Sequence, residues 1–400
     1  MTRPPRLDID LATPEPVPDE GIEAATALMR SGRLFRYAEA GGQPSEAALW
    51  ETEFAAFVGR RYAVAVNSCG ASLYLALHVL GVRAGDPVLM NSWTLAPVPG
   101  AVAHAGARAV LVETTVDLTI DLAHLEHQAV AHPGSVLLLS HMRGHIADME
   151  AVVDICGRHQ LRLVEDCAHS VGGAWDGRPT GTFGAIGCFS TQTYKHLNSG
   201  EGGLLVTDDD ELAARAVLAS GSYMLYGQHA SRPDLAIVDA LAATEPNHSM
   251  RLTNVAAAVL RPQLRLLPAR VAQWNALYTR LAQGLAALPG LRLPCRPAAE
   301  QFVGSSLQFF LDLSPSHMAA FCAAADELGV HVKWYGAPRP VAFTSAYRSW
   351  AHAGRADLPG TDAVLAGLCD IRVPLALPLE RCDDVVAVLA HARHSVTNGS

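Results

Sequence analysis

The stretch "GAIGCFSTQTYKHLNSGEGGLLVT" (184–207) holds two short apolar runs, GAIGCFS and GGLLVT, joined by a polar loop with no helix between them. Everything upstream of it keeps a different rhythm. RYAVAVN (61–67), DPVLMN, RAVLVE, SVLLLS and LRLVED read as strands, and ASLYLALHVLG, PVPGAVAHAGA, DLAHLEHQAVAH and DMEAVVDICGRHQ read as the helices between them. Short apolar strands alternating with helices specify an α/β fold, a mainly parallel sheet with helices on both faces. The 184–207 stretch therefore predicts one antiparallel excursion in that sheet.

The loop of this excursion contains Lys195, one of only two lysines in the chain; the other is Lys333, and arginine fills every other Lys/Arg position. An amine can lose its proton and attack a carbonyl, whereas a guanidinium stays charged. Lys195 is thus a candidate Schiff-base lysine, set against the plain alternative of a solvated surface residue.

Beyond residue 265 the texture changes. PARVAQWNALYTRLAQGLAAL reads as a long amphipathic helix, followed by the strand SSLQFFLDL, the helix HMAAFCAAADELG, the strand VHVKWYG and the closing helix CDDVVAVLAHARH. We expect an N-terminal arm (1–18), a large α/β domain (19–265) and a small C-terminal α+β domain (266–400). At about 100–200 residues per domain, a chain of 400 residues has room for two or three.

Half of the residues are hydrophobic and 17% are charged, enough for a large core. The net charge of −9 and the absence of a basic stripe argue against a nucleic-acid partner. Eight scattered cysteines without a CxxC fit a reducing compartment. The Pro-rich, acidic start lacks the pattern of a signal peptide, and no apolar run approaches the roughly 20 residues of a membrane span. The expectation is a soluble, cytoplasmic enzyme.

Parallel sheets bind ligands beyond the carboxyl ends of their strands. After YAVAVN comes SCGAS, opening a helix, where small residues let backbone amides approach a phosphate; an ordinary tight turn would look the same. After DPVLMN comes SWTL, where Trp93 or Leu95 covers a flat ring or fills core. After LRLVE comes Asp166, with His169 three residues on, and after GAIGCFS comes the Lys195 loop. A phosphate cradle, a carboxylate and a lysine are the three groups pyridoxal phosphate requires. Lysine forms the Schiff base, the carboxylate keeps the ring nitrogen protonated, and helix-end amides with a hydroxyl hold the phosphate. His141 and His145 have HxxxH spacing, but Gly144 interrupts it and no third ligand is evident, so no metal is expected. Asp208 to Asp210 read as a helix cap rather than a cation site.

The segment VEDCAHSVGGAWDGRPTGTFGAIGCFSTQTYKHLNSGEGGLLVTDDDELAARA (164–216) resembles the signature of the DegT-type sugar and cyclitol aminotransferases, fold type I pyridoxal-phosphate enzymes of the aspartate aminotransferase superfamily. NSCGASLYLAL, SHMRGHIADME, MRLTNVAAAVLRPQL (250–264) and RVPLALPLERCDDV extend the resemblance over about residues 20–390. It implies Lys195 as the Schiff-base lysine, Asp166 as the pyridinium partner, His169 beside the ring and Ser190 on the phosphate. Cys69 and Gly70 occupy the positions whose amides meet the phosphate, and Gln192 holds the polar position after that serine. The ring-covering aromatic falls at Leu95 in register, with Trp93 two residues earlier. The family's Asn that reaches the neighbouring subunit's phosphate is replaced by Ser249, with Asn247 close by and Arg251 matching the following Arg.

Arg143 and the segment VKWYGAPRP (332–340) depart from the family where its members contact substrate. Arg143, Lys333 and Arg339 are candidate partners for a substrate carboxylate or phosphate. The resemblance implies a homodimer with interface active sites, an amino donor such as glutamate or glutamine, and a keto sugar, cyclitol or related ketone as acceptor. Two other readings stay open. One is elimination or carbon–carbon chemistry on the same fold, and the other is a regulatory protein without turnover. Lysine at 195 argues against the dehydratase subgroup, which carries histidine there.

Overall fold

A computed structural model describes residues 3–39, 41–339 and 344–397. Among the described residues fourteen strands form three sheets. The largest has seven: Tyr62–Val66 (β1), Pro87–Asn91 (β2), Arg108–Val112 (β3), Val136–Ser140 (β4), Arg162–Asp166 (β5), Ile186–Ser190 (β8) and Gly203–Thr207 (β9). Their order is β1-β9-β8-β5-β4-β2-β3. The pairings β3–β2–β4–β5–β8 are all parallel, whereas β9 runs antiparallel to both β8 and β1. The excursion expected at 184–207 is thus β8, the Lys195 loop and β9.

The sheet is buried on both faces, which is why its strands read as unbroken apolar runs rather than alternating ones. Along β4, Val136 and Leu138 enter one core and Leu137 and Leu139 the other. Because β9 reverses, β1 points the same way as the parallel strands. The carboxyl ends of β1, β2, β4, β5 and β8 therefore lie along one edge.

A four-stranded antiparallel sheet has the order β10-β12-β14-β13: Leu291–Arg292 (β10), Ser306–Leu311 (β12), Lys333–Trp334 (β13) and Leu368–Arg372 (β14). The helices Pro315–Glu327 and Cys382–Thr397 pack on it through Met318, Phe321, Val385 and Leu389. Ala174–Trp175 (β6), Arg178–Pro179 (β7) and Glu300–Gln301 (β11) make a small ribbon beside the large sheet.

One helix, Asn254–Ala286, ties the cores together. Leu260, Leu264 and Leu267 lie in a core of the large sheet, while Leu277, Leu281 and Leu285 lie in that of the small one. It begins 14 residues before Pro268, where the expected helix starts, and is capped by the Thr253 hydroxyl, which accepts the Ala256 N–H at 3.2 Å. Pro262 and Pro268 lie inside it. Each removes one backbone bond, but the buried leucines on both sides hold the helix through them. The N-terminal arm also joins the small core: Leu7 and Leu11 are buried there, and the Leu7 N–H donates to Leu328 O. Among the described residues no helix is long and apolar enough to cross a membrane.

Candidate active site

The strand ends surround a cavity of about 250 Å³ whose wall includes Ser68, Cys69, Gly70, Thr94, Leu95, Asp166, His169, Ser190, Gln192 and Lys195. Four separate strand-to-loop junctions supply these groups, so their convergence is a product of the sheet's parallel order.

Ser68 caps the helix Cys69–Val79 by accepting the Ala71 N–H on its hydroxyl. The amides of Cys69 and Gly70 precede the first intrahelical bond and face an acceptor-hungry helix end. Gly203, the first residue of β9, lies directly under this turn. A Cβ there would sit 2.5 Å from the Ser68 carbonyl carbon and 2.6 Å from the Cys69 nitrogen. The glycine of the GEGG run thus lets β9 slide beneath the helix end. Ser190, buried at the end of β8, accepts the Gln192 N–H at 3.3 Å.

Asp166 ends β5. Its Oδ1 accepts the Ala168 N–H at 3.1 Å and its Oδ2 accepts the Ser140 hydroxyl at 2.5 Å. Lys195 Nζ lies 2.6 Å from His169 Nε2. Burial and then the charges of Lys195 and Arg143 hold His169 well below the usual histidine range, so it is neutral and accepts from the amine. Burial and then the Arg143 guanidinium pull Lys195 down to about 8. At pH 7 roughly one amine in ten is then neutral, against roughly one in 3,000 at the ordinary lysine value.

A second, narrower cleft of about 50 Å³ shares Ala168, His169 and Lys195 with the first and adds Arg143, Tyr194, Ser305 and Arg372. Lys195 and His169 therefore border both. The arm residues Leu11 to Glu15 close part of this cleft. Arg143, at φ 56°, ion-pairs with Asp370 at 2.8 Å and donates from Nε to the Tyr335 hydroxyl at 3.0 Å. Arg372 stacks on the Tyr194 ring at 4.3 Å and Lys333 on that of Tyr335 at 4.9 Å. Burial and then Arg143 bring Lys333 down to about 8 as well.

Trp93 is packed away from the cavity, fully buried edge-on to Tyr335, whereas Leu95 is on the wall. Asn247 and Ser249 lie on an exposed loop, bonded to each other at 3.1 Å and away from this chain's cavity wall. Arg251 donates to Gly221 O and stacks on Phe35 and Tyr223; Arg339 is exposed. His145 bonds Gln308, while His141 meets Glu165 and Cys167, a trio whose ligand atoms lie within 4.8 Å. The Glu165 oxygens, however, already accept the amides of Gly181, Phe183 and Gly184.

Arg372, Thr94 and Ser140 belong to this neighbourhood and were not singled out from the sequence. The strand-end rule that pointed to Asp166 applies equally to Ser140 at the end of β4, whereas Arg372 ends β14 in the antiparallel sheet, where the rule gives no signal.

The cavity suits pyridoxal phosphate. It joins a helix end with open amides over a Cβ-free β9, a buried carboxylate and a desolvated amine. Comparison with known proteins agrees. A putative L-glutamine:3-amino-2,3-dideoxy-scyllo-inosose aminotransferase of Micromonospora echinospora is 34% identical over 240 residues, 60% of this chain and 55% of that one. The chain thus spans about half the length of that relative. A dTDP-3-amino-3,4,6-trideoxy-alpha-D-glucose transaminase of Streptomyces venezuelae is 35% identical over 73% of this chain and 72% of its own. The crystal structure of S. venezuelae DesV superposes with a TM-score of 0.80 at 29% identity, covering 97% of this chain and 98% of that one. Pyridoxal phosphate is the cofactor of such enzymes. Residues 19–390 match the DegT/DnrJ/EryC1/StrS aminotransferase family, and the chain belongs to it.

Proposed function

We propose that the protein is a pyridoxal-phosphate-dependent aminotransferase. It moves an amino group from an amino acid, glutamine or glutamate, to a keto sugar, cyclitol or related ketone. The observation that carries this reading is the convergence of Lys195, Asp166, Ser190 and the helix end at Cys69 on one cavity. The named activities of the relatives support it.

Bound in that cavity, pyridoxal phosphate supplies an aldehyde that condenses with amines and a ring that takes up the electron pair left at the donor's α carbon. The chain's residues do the rest. The Cys69 and Gly70 amides and the Ser190 hydroxyl would hold the phosphate. Asp166 offers its carboxylate to the ring nitrogen, and Leu95, Leu73 and Val98 line the apolar wall. Lys195 would anchor the cofactor through its amine and, as a free amine, would move the proton at the donor's α carbon. Its lowered pKa suits a base working near neutral pH, and His169 aims the amine by accepting from it.

The narrow cleft takes the substrates. Arg143 is spoken for by Asp370, but Arg372, on the wall of this cleft, has no carboxylate within ion-pair distance among the described residues. Partly buried cations without a counter-charge favour an anion, so the donor's carboxylate fits there. The working unit is a homodimer in which the loop of Asn247 and Ser249 faces the neighbouring subunit's cofactor. In support, Phe35, Tyr223 and Met224 are exposed at 45%, 57% and 85%, and Arg251 joins the first two.

The test is a half-reaction. Enzyme loaded with pyridoxal phosphate and given glutamine or glutamate without acceptor should release one 2-oxo acid per site and lose its visible absorbance. Elimination chemistry would instead release ammonia catalytically, and a spectrum indifferent to a panel of amino donors would leave only a binding role.

A further inference from the structure

We propose that Ser140 and Thr94 form a hydroxyl relay that sets the carboxylate of Asp166 toward the cofactor's ring nitrogen, which makes Ser140 a positioning residue of the reaction. The inference rests on the assignment of the cavity to pyridoxal phosphate.

The direction of the relay follows from the chemistry of its end. An ionised carboxylate only accepts, so the 2.5 Å contact between Ser140 Oγ and Asp166 Oδ2 has the serine donating. The serine oxygen then has a free lone pair, and Thr94 Oγ1 lies 2.8 Å from it. The chain of protons runs from Thr94 to Ser140 to Asp166. Thr94 and Asp166 both stand on the cavity wall, so the relay begins and ends at the ligand. All three residues are buried, Thr94 at 1%, Ser140 at 4% and Asp166 at 5% exposure.

Ser140 is itself pinned. Its N–H donates to Asn91 Oδ1 at 2.8 Å and its carbonyl accepts from Asn91 Nδ2 at 3.2 Å. The ends of β2 and β4 are thereby locked side by side, and the hydroxyl cannot drift. Ala168 N–H holds the other oxygen of Asp166. The Cys69 thiol adds a longer contact to that same oxygen at 3.9 Å, so with donors on both oxygens the plane of the carboxylate is fixed. Ser140 is the one donor on Oδ2 among the described residues. An alanine or valine at 140 would leave that oxygen buried without a protein partner and free the carboxylate to rotate. Hydrogen bonds to a charged acceptor are the stronger kind, and leaving such an acceptor bare is expensive.

The test uses the full-length protein, stripped of cofactor and titrated with pyridoxal phosphate, with the visible band of the holoenzyme followed against pH. Ser140→Ala should weaken cofactor affinity about tenfold or more. It should also move the pH midpoint of the band by at least about half a unit, because the ring nitrogen's partner has changed. Ser140→Thr keeps the hydroxyl and should restore both values. Thr94→Val, which removes the outer link only, should shift the midpoint in the same direction by less.

Wild-type affinity and midpoint in Ser140→Ala would overturn the proposal. So would a Ser140→Thr variant with unchanged Tm that is as impaired as the alanine variant. Should Ser140→Ala fail to fold, Thr94→Val decides, and an unmoved midpoint there removes the relay. A wild-type protein that does not bind pyridoxal phosphate would sink the cofactor assignment instead, a result distinct from any of these.

Discussion

At the scale of single residues, the chemistry depends on how the amine of Lys195 is made available. Burial and the Arg143 charge lower its pKa to about 8, so the amine is protonated below that pH and neutral above it. Steps that need the free amine should speed up as pH rises through about 8 and level off beyond it. Arg143→Gln removes a positive neighbour and leaves Asp370 without its partner, and both changes favour the protonated lysine. The ascending limb of the pH–rate profile should therefore move upward by roughly 0.5–1 unit, with the loss of rate largest at neutral pH. A limb that stays in place, or moves down, would show that Arg143 does not tune the amine. Lys195 was legible from the sequence because an arginine-rich chain keeps a lysine there and GEGG follows it. The relation of Ser140 to Thr94 and Asp166 was not, since the partners lie 46 and 26 positions apart and meet only through the sheet order.

At the scale of elements, the strands announced themselves. A sheet covered on both faces needs apolar residues at every position, and runs such as VLLLS have no other reading in an alternating α/β pattern. The antiparallel β8–β9 pair was legible for the same reason, from the missing helix between two apolar runs. The long helix was not fully legible, because Pro262 and Pro268 carry the local signal of a break, while the leucines that override it are supplied by two distant cores. The strand expected at VHVKWYG is present but short, with only Lys333–Trp334 pairing as β13. The crossing of β9 beneath the helix end yields a prediction. Gly203→Ala places a Cβ against the backbone of Ser68 and Cys69, which has no side-chain freedom to yield. It should destabilise the protein by about 1–3 kcal/mol and weaken cofactor binding together. Gly157→Ala, in a helix and with nothing within 4 Å of the added Cβ, should be neutral or slightly stabilising. Equal melting temperatures for the two variants would count against the crossing as drawn.

At the scale of the molecule, the first residues do structural work. Leu11 is 5% exposed in the small core, and residues after it wall the narrow cleft. Leu11→Ala should cost about 2–4 kcal/mol by thermal or denaturant unfolding and raise KM for the donor more than it lowers kcat; a loss below 1 kcal/mol would mean the arm is not held there. The exposed Tyr223 and Met224 give the proposed homodimer its own check. Tyr223→Glu with Met224→Glu should shift the mass in solution from dimer to monomer and cost most of the activity, and a wild-type protein that is monomeric and fully active would remove the interface from the account. The acceptor's identity was not legible at any scale, because no fixed motif marks it; the cleft that would receive it is built from Arg143, Tyr194, Ser305 and Arg372, drawn from four separated segments.

The central claim is that one particular amine carries the cofactor, and the chain makes that claim unusually clean to test. Lys195 and Lys333 are the only two lysines, and both are brought to about 8 by their surroundings. Holoenzyme reduced with borohydride, digested and mapped by mass spectrometry should carry the pyridoxyl label on the peptide of Lys195 alone. A label on Lys333, or none on either lysine, would contradict the account.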